Sequence, residues 1–197
     1  MVEPFASKIV NNTWDLNAAL TKWNLDKHIA ELNDSLNYEL MKYAGDANKP
    51  GDIGKPDSAL LFIAEVIRNE PELKYAPFIA YNTFSALLKT DLHQAYKYGK
   101  EVLVASTFEH PAHEAIIAAI EINSDKLNLS PGIYQLGAQA YQMRINQTPY
   151  PELANIPKLY HEMAEWYWRA NDKSKAVDAE QKAIEALKGK NGASEND

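Results

Sequence analysis

KLYHEMAEWYWRANDKSKAVDAEQKAIEALK, residues 158–188, decides the fold. Two amphipathic segments are joined there by the polar turn Asn171-Asp172-Lys173. Apolar side chains return every three or four positions on both sides of the turn, which is the period of an α-helix and not of a strand. Two helices with so short a join fold back on one another as a hairpin. The same logic recurs more loosely near residues 75–105, where Thr90-Asp91 makes the join.

Working outward, residues 92–106 carry Leu92, Ala95, Tyr96, Gly99, Val102, Leu103 and Ser106. Their spacing fits a 3.6-residue period closely and predicts one face of a helix. Before it, a helix over 75–89 carries Phe78, Tyr81 and Phe84, and another carries Leu60, Ala64 and Ile67, with Asp57 or Ser58 placed to cap it and Pro71 beyond its end. After it come a helix with Ile116, Ile117 and Ile120 and one opened by Ser130-Pro131. There the serine is expected to accept from free backbone N–H groups, and the proline to sit at the first helical position. Ile29, Leu32, Leu36, Leu40 and Tyr43 mark a further helix at steps of 3, 4, 4 and 3. The segment before residue 25, with Phe5, Ile9, Trp14, Leu20 and Trp23, reads as helical but less regular. About seven helices after residue 25, and no convincing apolar–polar alternation, make the expected class all-α: stacked antiparallel helical hairpins.

Asn48 to Pro56 holds two prolines and two glycines in nine residues and is the clearest loop. It divides an N-terminal helical segment, 1–47, from a helical-hairpin domain, 57–189, which a disordered tail, 190–197, follows.

Composition narrows the functions. Twenty Lys plus Arg stand against 27 Asp plus Glu, a formal charge of −7. No basic stripe is present to displace counterions from phosphates, so a nucleic-acid partner is not expected. Apolar runs such as residues 59–64 are far too short to cross a bilayer, and Met1-Val2-Glu3-Pro4 does not start like a signal peptide. Without a single cysteine, the chain has no thiolate nucleophile, disulfide or cysteine-based metal site. Phosphate loops, dinucleotide-binding glycine motifs and the Gly-x-Ser-x-Gly elbow are also missing, so no catalytic residue and no cofactor is assigned.

Two histidine clusters remain. His110-Pro111-Ala112-His113-Glu114 puts two imidazoles three positions apart, which on a helix share a face and suit a metal-dependent hydrolase. Pro111, however, suits the first turn of a helix, with His110 at its N-cap, and a third protein ligand is not identified; an exposed helix start is the plainer expectation. His161-Glu162-Met163-Ala164-Glu165 resembles the zinc-protease pattern His-Glu-x-x-His but has a glutamate where the second histidine belongs. His28 and His93 are isolated.

Segment 159–188 resembles a tetratricopeptide repeat. Ala164 stands at the small position of the first helix, Tyr167 and Trp168 at its bulky positions, Asn171-Asp172 at the turn, and Ala176 and Ala183 at the small positions of the second helix. Glu180 replaces the usual aromatic between them. Residues 84–103 are similar but looser, with Ala95, Tyr98 and Val102 at matching positions, and the two turn aspartates lie 81 residues apart, so the array is irregular. The chain also resembles the α-helical extension after the thioredoxin-like domain of some bacterial thiol-disulfide oxidoreductases, residues 2–9 being similar to the last helix of that domain. That resemblance implies a periplasmic or cell-envelope setting and a redox site elsewhere, since no Cys-x-x-Cys occurs here.

The repeat-like hairpins imply a non-enzymatic scaffold whose partner is a protein or peptide held in a groove; the second resemblance implies the alternative, the helical part of a thiol-disulfide oxidoreductase that shapes access to a redox domain outside this sequence. A homo-oligomer is compatible with the first. Trp166, Tyr167 and Trp168 are consecutive, so their rings leave the helix in three directions. Tyr81, Asn82 and Trp168 are the expected groove-facing residues.

Overall fold

A computed structural model describes residues 36–45, 49, 51–148 and 155–192, the side chains only as far as Lys188. The chain divides into two compact units, 1–42 and 43–197. Of the first, residues 36–41 are helical and Leu40 is buried; Ile29, Leu32 and the segment before residue 25 lie outside the described residues, as does the tail from 193.

The second unit is all-helical among its described residues: α1 (Pro56–Asn69), a 3₁₀ turn (Pro71–Tyr75), α2 (Pro77–Thr90), α3 (Leu92–Ala105), α4 (His113–Ser124), α5 (Pro131–Asn146), α6 (Ile156–Arg169) and α7 (Lys173–Gly192). Proline opens four of these helices within their first two positions, where its missing N–H costs no hydrogen bond. The start of α1 differs from expectation. Lys55 is its N-cap and Pro56 its first residue, so Asp57 lies inside the first turn instead of capping it. Ser130 does occupy the N-cap of α5 with Pro131 behind it, but its side chain makes no capping bond. Pro71, expected merely to stand beyond a helix, opens the 3₁₀ turn, which α3 secures: Tyr98 Oη donates to the Lys74 carbonyl at 3.0 Å and Tyr75 Oη to Glu101 at 3.1 Å.

Two joins show how little chain a reversal needs. Asp91 alone separates α2 from α3, and its carboxylate accepts from the backbone N–H groups of His93 and Gln94 at 2.9 and 3.0 Å. Between α6 and α7, Asn171 takes a left-handed conformation (φ 61°), a role asparagine shares with glycine. Asp172 N–H then reaches back to the Tyr167 carbonyl and Asn171 N–H to that of Trp168, both at 2.9 Å, a Schellman closure of α6. The Asp172 side chain accepts from Lys175 N–H and so starts α7.

The core lies between α2, α3, α4 and α5, with Phe84, Val102, Ile116, Ile117, Ile120, Ile133 and Leu136 almost wholly withdrawn from solvent. α4 is apolar nearly all round, as a central helix must be. α2 packs on α1, α3 and α4, and α3 also on α5. The α3 face read from the sequence is the buried one at Ala95, Gly99, Val102 and Ser106, whereas Tyr96 turns outward. α6 joins this core chiefly through α5, and α7 packs chiefly on α6, which leaves α7 outermost among the described helices of this unit.

The α5–α6 seam depends on a missing side chain. A Cβ on Gly137 would lie 1.9 Å from the Trp166 ring, so the indole rests directly on the α5 backbone. Trp166 also meets Tyr141 edge-on, with ring centroids 4.9 Å apart, a contact of about 1 kcal/mol beyond the area it buries. Gly137→Ala should therefore lower stability by about 1–3 kcal/mol despite alanine's better helix propensity. Gly132→Ala in the same helix, whose Cβ would find its nearest neighbour at 3.6 Å, should be neutral or stabilising. Thermal melts of the two variants side by side check this.

Candidate functional site

α7 carries two apolar stripes of different character. Ala176, Ala179 and Ala183 are buried against α6, together with Ala164 from α6 itself, and small side chains there let the two helices approach closely. The larger aliphatics lie on the flank beside this alanine stripe and are exposed: Val177 is 62% exposed, Ile184 47% and Leu187 51%. Trp168, at the end of α6, is 61% exposed and continues that surface. The three consecutive aromatics do separate, Trp166 into the seam, Tyr167 partly buried, Trp168 outward.

The outer surface of the hairpin is hollowed twice. One depression of about 450 Å³ is lined by His161, Ala164, Glu165, Trp168, Ala176, Val177 and Glu180. A second, of about 440 Å³, runs on along α7 past Glu180, Gln181, Ile184, Glu185 and Lys188. Val177 and Glu180 line both, so the two adjoin as one groove. Charged pairs edge it: His161 Nδ1 lies 2.9 Å from a Glu180 oxygen, and Arg169 meets Glu165 at 2.6 Å. The hydrogen bond and charge of Glu180 raise the His161 pKa above its ordinary value.

Of the residues expected to face a groove, only Trp168 lines this one. Tyr81 lies on α2, packed against the core and half-buried, and burial pushes its hydroxyl pKa up. Asn82, beside it, donates to the Phe78 carbonyl of its own helix at 2.8 Å. Neither borders the α6–α7 groove. Sequence reasoning overlooked Val177, Ile184 and Leu187, though a signal existed: an alanine stripe at 176, 179 and 183 beside an aliphatic one at 177, 184 and 187.

The histidine pair is arranged otherwise than its spacing suggested. α4 begins at His113 with Ala112 as N-cap, so Pro111 and His110 stand before the helix and His110 is not its cap. His110 is exposed, whereas His113 is 2% exposed, with Nδ1 2.8 Å from Ser106 Oγ and Nε2 3.2 Å from Glu114 Oε1. Both its ring nitrogens are thus engaged. Ser106 Oγ also accepts from His113 N–H at 3.1 Å, which ties the end of α3 to the start of α4. Among the described residues no three histidine or carboxylate side chains converge as a metal site would require. In His161-Glu162-Met163-Ala164-Glu165, the histidine pairs with Glu180 of α7 and Glu165 with Arg169. Among the described residues no helix is long and apolar enough to cross a membrane.

Glu114 anchors the second feature of this region. Arg144 of α5 grips its carboxylate with both Nε (2.8 Å) and Nη2. Burial pushes the carboxyl pKa up, but the hydrogen bonds and charges of Arg144 and His113 outweigh it and hold the value at about 2. A cavity of about 250 Å³ adjoins, lined by Phe108, Pro111, His113, Glu114, Arg144, Gln147 and Thr148.

No protein-family model matches this sequence, and no curated protein or solved structure matches it significantly.

A carboxylate whose pKa is depressed on folding contributes stability that is present above its unfolded value, 4.5, and lost as pH falls through its folded value, about 2. Glu114→Gln should accordingly cost about 1–2 kcal/mol near neutral pH, discounted for partial exposure. The gap from the parent protein should close as pH falls from 4.5 towards 2. Urea titrations across that range measure it; a gap that stays constant would show that the ion pair is not the cause.

Proposed function

We propose that this chain is a non-enzymatic helical scaffold that captures a protein or peptide segment on the outer face of its α6–α7 hairpin. The observation that carries the proposal is the groove, to which Trp168, Val177 and Ile184 present large apolar side chains, with Leu187 also exposed on α7. A contiguous apolar surface with a polar rim is the ordinary form of a docking site, and an aromatic at its centre the ordinary form of an anchor. A helix laid in such a groove buries its own apolar stripe against it without unfolding either partner.

The small-residue packing of the hairpin supports a tetratricopeptide-like arrangement. Ala164, Ala176 and Ala183 are buried at the positions where such a repeat needs small side chains. In stacked hairpins each unit covers its neighbour, and an end unit keeps one face free for a capping element or a ligand. α7 occupies that end position in this unit.

The test is selection of helical peptides on the intact chain from a displayed library, followed by titration against Trp168→Ala. Selected peptides should bind the variant at least about tenfold more weakly, the loss expected at an interface anchor, while its far-UV circular dichroism stays unchanged. A variant that melts would make Trp168 a core residue, and a variant that binds equally well would move the site elsewhere.

A further inference from the structure

Along α7, Val177, Glu180, Ile184 and Leu187 follow one another at steps of 3, 4 and 3, the spacing of a seam that faces another helix. Three of the four are aliphatic. The fourth is a carboxylate at the shared wall of the two depressions, in the middle of the stripe. A charge set in an apolar contact selects its partner, because a ligand without a matching group leaves it desolvated and unpaired.

Glu180 is not idle in the free protein. His161, across the groove on α6, holds both of its oxygens, at 2.9 and 3.1 Å. Both side chains stand largely in solvent, so the pair can open. The other carboxylates and bases around it are committed: Glu165 to Arg169, Glu162 to Lys158, with the Tyr141 hydroxyl of α5 also within reach of Glu162. On the α7 side Lys182 lies over the Tyr160 ring, Glu185 accepts from Gln181, and Lys188 lines the far end of the groove.

We propose that the groove takes an amphipathic helix carrying one lysine or arginine within its apolar stripe, that Glu180 receives this cation, and that His161 must release Glu180 for it to do so. The proposal rests on the groove being the capture site argued above. It makes the His161 proton a competitor of the partner's cation. A protonated imidazole holds Glu180 as an ion pair. A neutral one offers only an ordinary hydrogen bond, which water or the incoming ammonium replaces. Since Glu180 raises the His161 pKa, the exchange is centred above the histidine's ordinary value, and binding strengthens as pH rises through it.

Two dye-labelled leucine–alanine amphipathic peptides serve as probes, one with a lysine in the centre of its apolar face and the other with glutamine there, and both are titrated by fluorescence anisotropy. The lysine peptide should bind the intact chain about three- to fivefold more tightly near pH 8 than near pH 5.5, the scale of an exposed charge pair. Glu180→Gln should remove both the pH dependence and the preference for lysine. His161→Gln should keep the tighter binding at both pH values. Equal affinities with a flat pH profile in the intact chain would overturn the Glu180 assignment and leave the capture groove standing. If neither peptide binds at any pH, or if sedimentation shows the groove filled by a second copy of the chain, both assignments fall.

Discussion

The contact of Trp166 with the bare backbone at Gly137 is the constraint on which the outer half of the molecule depends. α6 has no broad purchase on the α2–α4 core; it meets that core through α5, and α7 in turn meets α6. An indole seated where a Cβ would otherwise stand brings the two helix backbones close enough for Tyr141 to meet the ring edge-on. From the same stretch of α5, the Tyr141 hydroxyl donates to Glu121 of α4 at 2.7 Å and Arg144 grips Glu114 at its start. α5 is thus the strut between a conventional core and a projecting hairpin. Because the hairpin is held along one seam, its far side is left to solvent.

That far side explains the unusual division of labour on α7. A helix normally buries its largest apolar residues and shows its small and polar ones. Here alanines face the neighbour and valine, isoleucine and leucine face out. The small alanine side chains let α7 pack closely on α6. Under the capture proposed above, the single acid within the exposed stripe would choose among partners, since an apolar surface alone attracts many and a carboxylate left desolvated and unpaired disfavours most of them. The buried alanine stripe and the exposed aliphatic one thus run side by side on α7, and Ala176 borders the groove together with Val177.

The His113 region has a different character. Its two imidazole nitrogens, the Ser106 hydroxyl and the Glu114–Arg144 pair satisfy one another across the junction of α3, α4 and α5. A buried histidine that is hydrogen-bonded at both nitrogens fixes the geometry of a loop as effectively as an apolar residue, at the cost of needing each partner in place. The chemistry suggested by two nearby histidines in the sequence gives way to a structural tie, because His110 stands in the loop before α4, exposed, while His113 opens the helix and is enclosed.

The local order of contacts was enough for the sequence to specify much of this. Helical periodicity, prolines at helix starts and polar turn residues are consequences of backbone geometry within a few positions, and they yielded the all-helical class, the α3 face, the Asp91 join and the Asn171-Asp172 turn. Fine boundaries failed at Lys55 and Ala112, which take the caps expected at Asp57 or Ser58 and at His110, while Ser130 caps α5 by position without the expected side-chain bond. The groove was half legible: Trp168 stood out as one of three adjacent aromatics that must diverge, whereas Tyr81 and Asn82 were indistinguishable in sequence from residues that face solvent. Which stripe of α7 is buried was left to tertiary structure. Periodicity identifies faces but not what lies opposite them, and only the packing of α7 on α6 buried the alanines and left the aliphatics exposed.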